Sequence, residues 1–95
     1  MSPAAAQPHD AADQAMMSGM GRMKRQMADA PLTGDPDRDF VSMMMPHHAG
    51  AIDMAKVELH YGKDPALRRL ARDIVDAQER EIAQMRTWMA MHPAG

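Results

Sequence analysis

The side chains here that could do chemistry are thioethers and imidazoles. Met fills 13 of 95 positions, His fills five, and there is no Cys. The densest cluster is Met43-Met44-Met45-Pro46-His47-His48, with Met54 following about two helical turns after His47. A second set, Met16, Met20, Met23 and Met27, falls at i, i+4, i+7 and i+11, the repeat of one helix face. Thioether sulfur is a soft, neutral donor, and soft donors select Cu(I), or its analogue Ag(I), over Zn, Fe or Mg. It ligates without losing a proton, unlike a thiol. It also forms no disulfide, which suits an oxidising compartment such as the bacterial periplasm.

His47 and His48 are neighbours, so on a helix their rings point about 100° apart and one ion does not take both directly. The spacing gives His47 to a strip with Met43 and Met54 and turns His48 inward, towards Gln78. Either ring could bind, with an outer partner fixing its orientation. Pro46 removes the backbone bond to Ser42 and is expected to kink or widen the helix there. Each residue also has a plainer reading. Met packs adaptably, so Met44, Met85 and Met89 serve as core filler as readily as ligands. The set from Met16 to Met27 leans to ligation, because packing alone would favour Leu and Ile. His9, His60 and His92 read as solvent-exposed, with His92 near Met89 and Met91 as a minor terminal site.

The elements that must position these donors are helices. At 95 residues the chain builds one small domain. Asp35-Pro36 and Asp64-Pro65 share one logic: Asp caps the free amides of a first turn, and Pro takes the position where no N–H is needed. Gly62 is expected as a left-handed helix cap, and Ala30-Pro31-Leu32-Thr33-Gly34 is the upstream break. No stretch alternates with the period of a strand. The reading is an all-α, antiparallel, up-down three-helix bundle over residues 10–92, with helices at about 10–29, 36–61 and 65–91. Residues 1–9 read as a flexible leader, without the basic and apolar regions of a signal peptide; an exported protein shows such a start once its signal is removed, and so does a cytosolic one.

The faces follow from 100° per residue. The third helix carries Leu67, Leu70, Ala71, Ile74, Val75, Gln78, Ile82, Met85, Trp88 and Met89 on one stripe. Arg69, Arg72, Asp73, Asp76, Arg80 and Arg86 lie opposite. The second is expected to bury Phe40, Val41, Met44, His48, Ala51, Ile52, Ala55 and Leu59. The first has only Met as its large apolar residue, and Gly19 and Gly21 each cost about 1 kcal/mol relative to Ala. Packing or a ligand must hold it. Pivoting about the two breaks sets Met43 beside Met23, His47 near Gly19 and Met20, and Met44 opposite Ile82. One layer then collects Met20, Met23, Met43, Met44, His47, His48 and Met85.

The run Asp39-Phe40…Met43-Met44-Met45-Pro46-His47-His48-Ala49-Gly50-Ala51-Ile52-Asp53-Met54-Ala55 resembles the domain-of-unknown-function 305 family. The likeness continues through Gly62-Lys63-Asp64-Pro65, Leu67, Leu70-Ala71, Ile74, Gln78, Glu81-Ile82, Met85 and Trp88, over about residues 35–90. The resemblance implies a ferritin-like helical bundle in an exported bacterial protein that binds Cu(I) or Ag(I) and supports copper resistance or trafficking. It maps the family's ligand motif onto Met43, Met44, His47, His48 and Met54. Fuller members build four helices, so a shorter chain implies completion by a homo-oligomer.

A di-iron enzyme needs several inward Glu and Glu-x-x-His pairs. Here Met44 and Met45 stand three residues before the two His, and Glu58 and Glu81 are the only plausible inward carboxylates. Nucleophile and phosphate-loop motifs are absent, so the expectation is a non-enzymatic binding protein with copper ions and a copper-handling protein as partners. A Met-rich protein-interaction module, or a structural bundle without metal, is the alternative. A net charge of −2 without a basic block speaks against nucleic acid, and no apolar run reaches the roughly 20 residues of a membrane span.

Overall fold

The computed structural model describes residues 8–93 and is all-helical over them. Helix α1 runs Pro8–Asp29, α2 Pro36–Tyr61 and α3 Pro65–Met91. The first helix starts two residues ahead of its expected place, inside the stretch read as a leader; residues 1–7 of that leader lie outside the described residues.

Both Asp-Pro starts work as the sequence predicts. The Asp35 carboxylate accepts from the Asp37 amide at 3.1 Å, and Asp64 accepts from the Leu67 amide at 2.9 Å. Helix α2 continues unbroken through Pro46. Gly62 departs from expectation: its φ of −73° is extended, not left-handed. It is required there for space, because a Cβ would meet both the side chain and the backbone carbonyl of Glu58. Arg68 closes the same corner by donating to the carbonyls of Leu59 at 2.6 Å and Gly62 at 3.1 Å. The left-handed glycine is Gly34, with φ 88°. Around it, Asp39 accepts from the Thr33 amide and hydroxyl, both at 2.9 Å, and from the Gly34 amide at 3.1 Å.

Helix α2 is the central element. Both α1 and α3 pack on it, on different flanks, and they are not packed against each other. The molecule is a shallow layer of 59 × 30 × 15 Å. Val41, Ile52, Ala55, Val57 and Ala71 form the buried apolar core, with His48 beside them. Val57 lay outside the expected stripe because α2 has two neighbours and is apolar on both sides; the start of α1 covers it.

Other expected core positions stay open. Phe40 is 61% exposed, Leu67 and Leu70 are each 52% exposed, and Leu59 is half-buried. A helix stripe is buried only where a second helix covers it, and α1 does not reach the α3 stripe. The charged positions from Arg69 to Arg86 on the opposite face are exposed, as the pattern predicts.

Candidate functional site

The site is built where α1 crosses α2, and glycines set that crossing. Gly19 is buried on α1, and a Cβ on it would lie 3.2 Å from Asp53 Cβ. Opposite, a Cβ on Gly50 would stand 2.7 Å from Met23 Sδ and 3.2 Å from its Cγ. The two helices therefore close to a distance that only small residues permit, and Met23 seats its sulfur on the α2 backbone at Gly50. Gly19, read from propensity as a defect, is the condition of this contact. Arg22 adds a charged clasp by donating from Nη2 to Asp53 Oδ2 at 3.2 Å.

This crossing displaces α1 along α2 by about two turns from the expected register. Met23 lies opposite Gly50 rather than Met43. Pivoting at the middle of the loop assumes a tight symmetric connection. Here six residues join the helices, and the Gly19 and Gly50 contacts choose the register instead.

The result is a cleft of about 210 Å³ between α1 and α2. Four thioethers, Met16, Met20, Met23 and Met54, and the His47 imidazole line it, with small residues Ala15, Gly19, Gly50 and Ala51 and one carboxylate, Asp53. Met20 is 44% exposed and Met54 49% exposed, so they stand at the rim, while Met16 and Met23 are half-buried. His47 is exposed. Four neutral soft donors and an imidazole are a set whose chemistry suits a soft monovalent cation, and the one carboxylate at the edge, Asp53, is already paired with Arg22. Among the described residues, no three His, Asp or Glu side chains gather in a group that could hold an ion.

The remaining candidates lie elsewhere. His48 turns inward as expected, but its partner is Glu81, one turn beyond Gln78. His48 Nε2 lies 2.5 Å from Glu81 Oε1, and Nδ1 lies 2.9 Å from the Met44 carbonyl. The Met44 carbonyl can only accept, so Nδ1 donates to it, and the contact of Nε2 with Glu81 ties α2 to α3. Gln78 is left with its Oε1 buried and unpartnered. Glu81 is bound in this pair and half-exposed, and Glu58 folds over Gly62, so the two carboxylates do not converge.

Met85 lies with Phe40, Val41 and Trp88 in a separate groove between α2 and α3. Met43 and Met44 are half-buried on α2, Met27 is half-buried near the end of α1, and none of the three lines the thioether cleft. The single layer expected from the symmetric register is thus divided between the two flanks of α2.

The terminal His92 is also committed. Its ring stacks on Trp88 at 4.2 Å, and Nδ1 meets the Trp88 carbonyl at 2.8 Å. Arg38 lies 5.8 Å over the Trp88 ring, donates to Met89 Sδ at 3.6 Å and to the His92 carbonyl. Met89 is therefore the acceptor in an Arg contact that fastens the α2 start to the α3 end.

Two participants, Asp53 and Gly50, were not singled out from sequence. Gly50 sits within an otherwise helix-favouring run, and a glycine inside such a run is the available sign of close helix approach.

With this geometry the relatives are informative. A stretch of 49 residues is 41% identical to an uncharacterized protein of Acanthamoeba polyphaga mimivirus, a match taking in 52% of this chain and 32% of that protein. The chain thus spans about a third of the length of that curated relative. A family model, described as Domain of unknown function (DUF305), matches residues 1–89 and so takes in α1 and the whole cleft as well as the Met-His run. The chain belongs to the DUF305 family.

Proposed function

We propose that this protein is a carrier of Cu(I), with Ag(I) as its analogue, that sequesters or ferries the ion without catalysis in the periplasm or another exported setting. The observation that carries the reading is the convergence of Met16, Met20, Met23, Met54 and His47 on one cleft without Cys. Neutral sulfurs cost little to desolvate when the site is empty, and the filled site keeps the ion's single positive charge. The Arg22–Asp53 pair at the cleft edge is neutral as a whole, so the thioethers and the imidazole carry the recognition. Exposed His47 and the rim sulfurs of Met20 and Met54 are the donors that meet the ion first. The same groups can release it by stepwise ligand exchange to a copper-handling partner protein.

The experiment is an anaerobic Cu(I) titration against a colorimetric chelator, with Zn(II) as control. Wild type is expected to compete for Cu(I) and not for Zn(II). A M20L/M23L/M54L variant is expected to lose at least about tenfold in affinity, the loss of roughly 1.4 kcal/mol of binding. H47A is expected to weaken binding as well. Failure of the wild type to compete at any protein-to-chelator ratio would overturn the copper reading.

A further inference from the structure

The two flanks of α2 are held by different chemistry. Towards α3 the contacts include aliphatic and polar ones: Ile52 shares a groove with Ile82, and His48 reaches Glu81. Towards α1 they are thioether contacts, because every large apolar side chain on α1 is Met. Among the described residues, α1 packs on α2 alone. Without that packing, a helix of 22 residues with two internal glycines is marginal in water. The attachment of α1 therefore rests on sulfur, since the partly exposed Arg22–Asp53 pair contributes little.

Thioether sulfur is also the atom that oxidants modify. Met takes up one oxygen to become the polar sulfoxide, and with no Cys in the chain no thiol competes for the oxidant. Met20 and Met54 are open to it at the cleft rim, and Met16 and Met23 are half-buried behind them. The Met23 sulfur already rests on the α2 backbone at Gly50, which leaves no room for an oxygen on that side. The amides of α2 are bonded within their own helix, so a sulfoxide oxygen turned inward finds no donor.

We propose that the methionines of the α1–α2 contact are an oxidant-modified site, and that sulfoxide formation releases α1 while α2 and α3 stay paired. The oxidant is a peroxide. A thioether lone pair attacks one peroxide oxygen, the S–O bond forms and the O–O bond breaks. The sulfur loses two electrons, and the other oxygen of hydrogen peroxide leaves as water with both protons. Met20 and Met54 react first, and the loosened contact then exposes Met16 and Met23. The inference is independent of copper and is tested on metal-free protein.

The full chain is treated with hydrogen peroxide, sulfoxides are located by peptide mass, and amide exchange is followed along the chain. Sulfoxide is expected at Met20 and Met54, with α1 protection reduced at least about tenfold and α3 protection kept. Methionine sulfoxide reductases for both epimers should restore α1 protection. A M16L/M20L/M23L/M54L variant keeps apolar contacts without oxidisable sulfur, and its α1 should stay protected under peroxide. Met17 is 72% exposed and lies outside the cleft, so M17L should release α1 as the wild type does. Unchanged α1 protection in a chain bearing both sulfoxides would overturn the proposal. So would an α1 without protection before treatment, an equal loss along α3, or the same release in the four-Leu variant.

Discussion

Met23 and Gly50 are in direct contact across α1 and α2: the Met23 sulfur occupies the space where a side chain at position 50 would begin, 2.7 Å from an ideal Cβ. Together with the Gly19–Asp53 approach, this pairing sets the depth of the crossing and the register of α1, and it places a thioether in the cleft. Stability and the proposed metal binding are therefore expected to separate at this position.

G50A should show that separation. Ala gains about 1 kcal/mol of helix propensity over Gly, which offsets the cost of rotating the flexible Met23 away. The expected outcome is a melting temperature close to wild type with weaker Cu(I) retention. Thermal unfolding and chelator competition on one sample check it, and unchanged retention would remove Met23 from the donor set.

The two adjacent His should respond differently. H48A breaks the contacts to Glu81 and the Met44 carbonyl within a buried position and is expected to cost about 1–3 kcal/mol of stability. H47A, at an exposed position, should leave stability nearly unchanged while lowering Cu(I) affinity. Denaturant melts paired with metal titrations distinguish the two; equal stability losses would contradict the assignment.

Acid should loosen the first loop through Asp39. The Thr33 amide, supported by its hydroxyl and by the Gly34 amide, holds the Asp39 carboxyl below the ordinary Asp value. A depressed pKa means a stabilising contribution that is complete above the unfolded chain's Asp value, about 3.9, and is lost as pH falls towards and through the folded value. The gap in melting temperature between wild type and D39N should therefore be widest near neutrality and shrink below about pH 4. A gap independent of pH would show that this carboxylate does not hold the loop.

The two loop glycines should fail for different reasons. G34A forces a side chain into a left-handed backbone, for about 1–2 kcal/mol, with open space around it. G62A keeps an ordinary φ but collides with Glu58, whose backbone carbonyl would stand 2.6 Å from the new Cβ. Adding E58A should relieve only the part of the G62A defect due to the carboxylate, leaving the carbonyl clash. A complete rescue would place the whole defect in the side chain.

The all-helical fold, its two breaks and its Asp-Pro caps were legible because each is local. Capping needs one carboxylate and the amides two or three residues on, and helix faces need only the 3.6-residue period. The donor chemistry was legible for a similar reason: softness belongs to the thioether itself, wherever the chain carries it. Thus Met16, Met20, Met23, Met54 and His47, which share the cleft, were all among the residues singled out from sequence.

Which donors share a cleft was settled by contacts between residues about thirty positions apart. The Gly19 and Gly50 approaches set the slide of α1 and left Met43 out of the cleft, while Glu81 rather than Gln78 claimed His48. A loop bounds where a helix can go but does not fix its register, so the period of each helix left several registers open. Sequence by itself determined the helices and the kind of donor groups they carry. The tertiary structure decided the partners, because van der Waals fit at two glycines selects one register among those the faces allow.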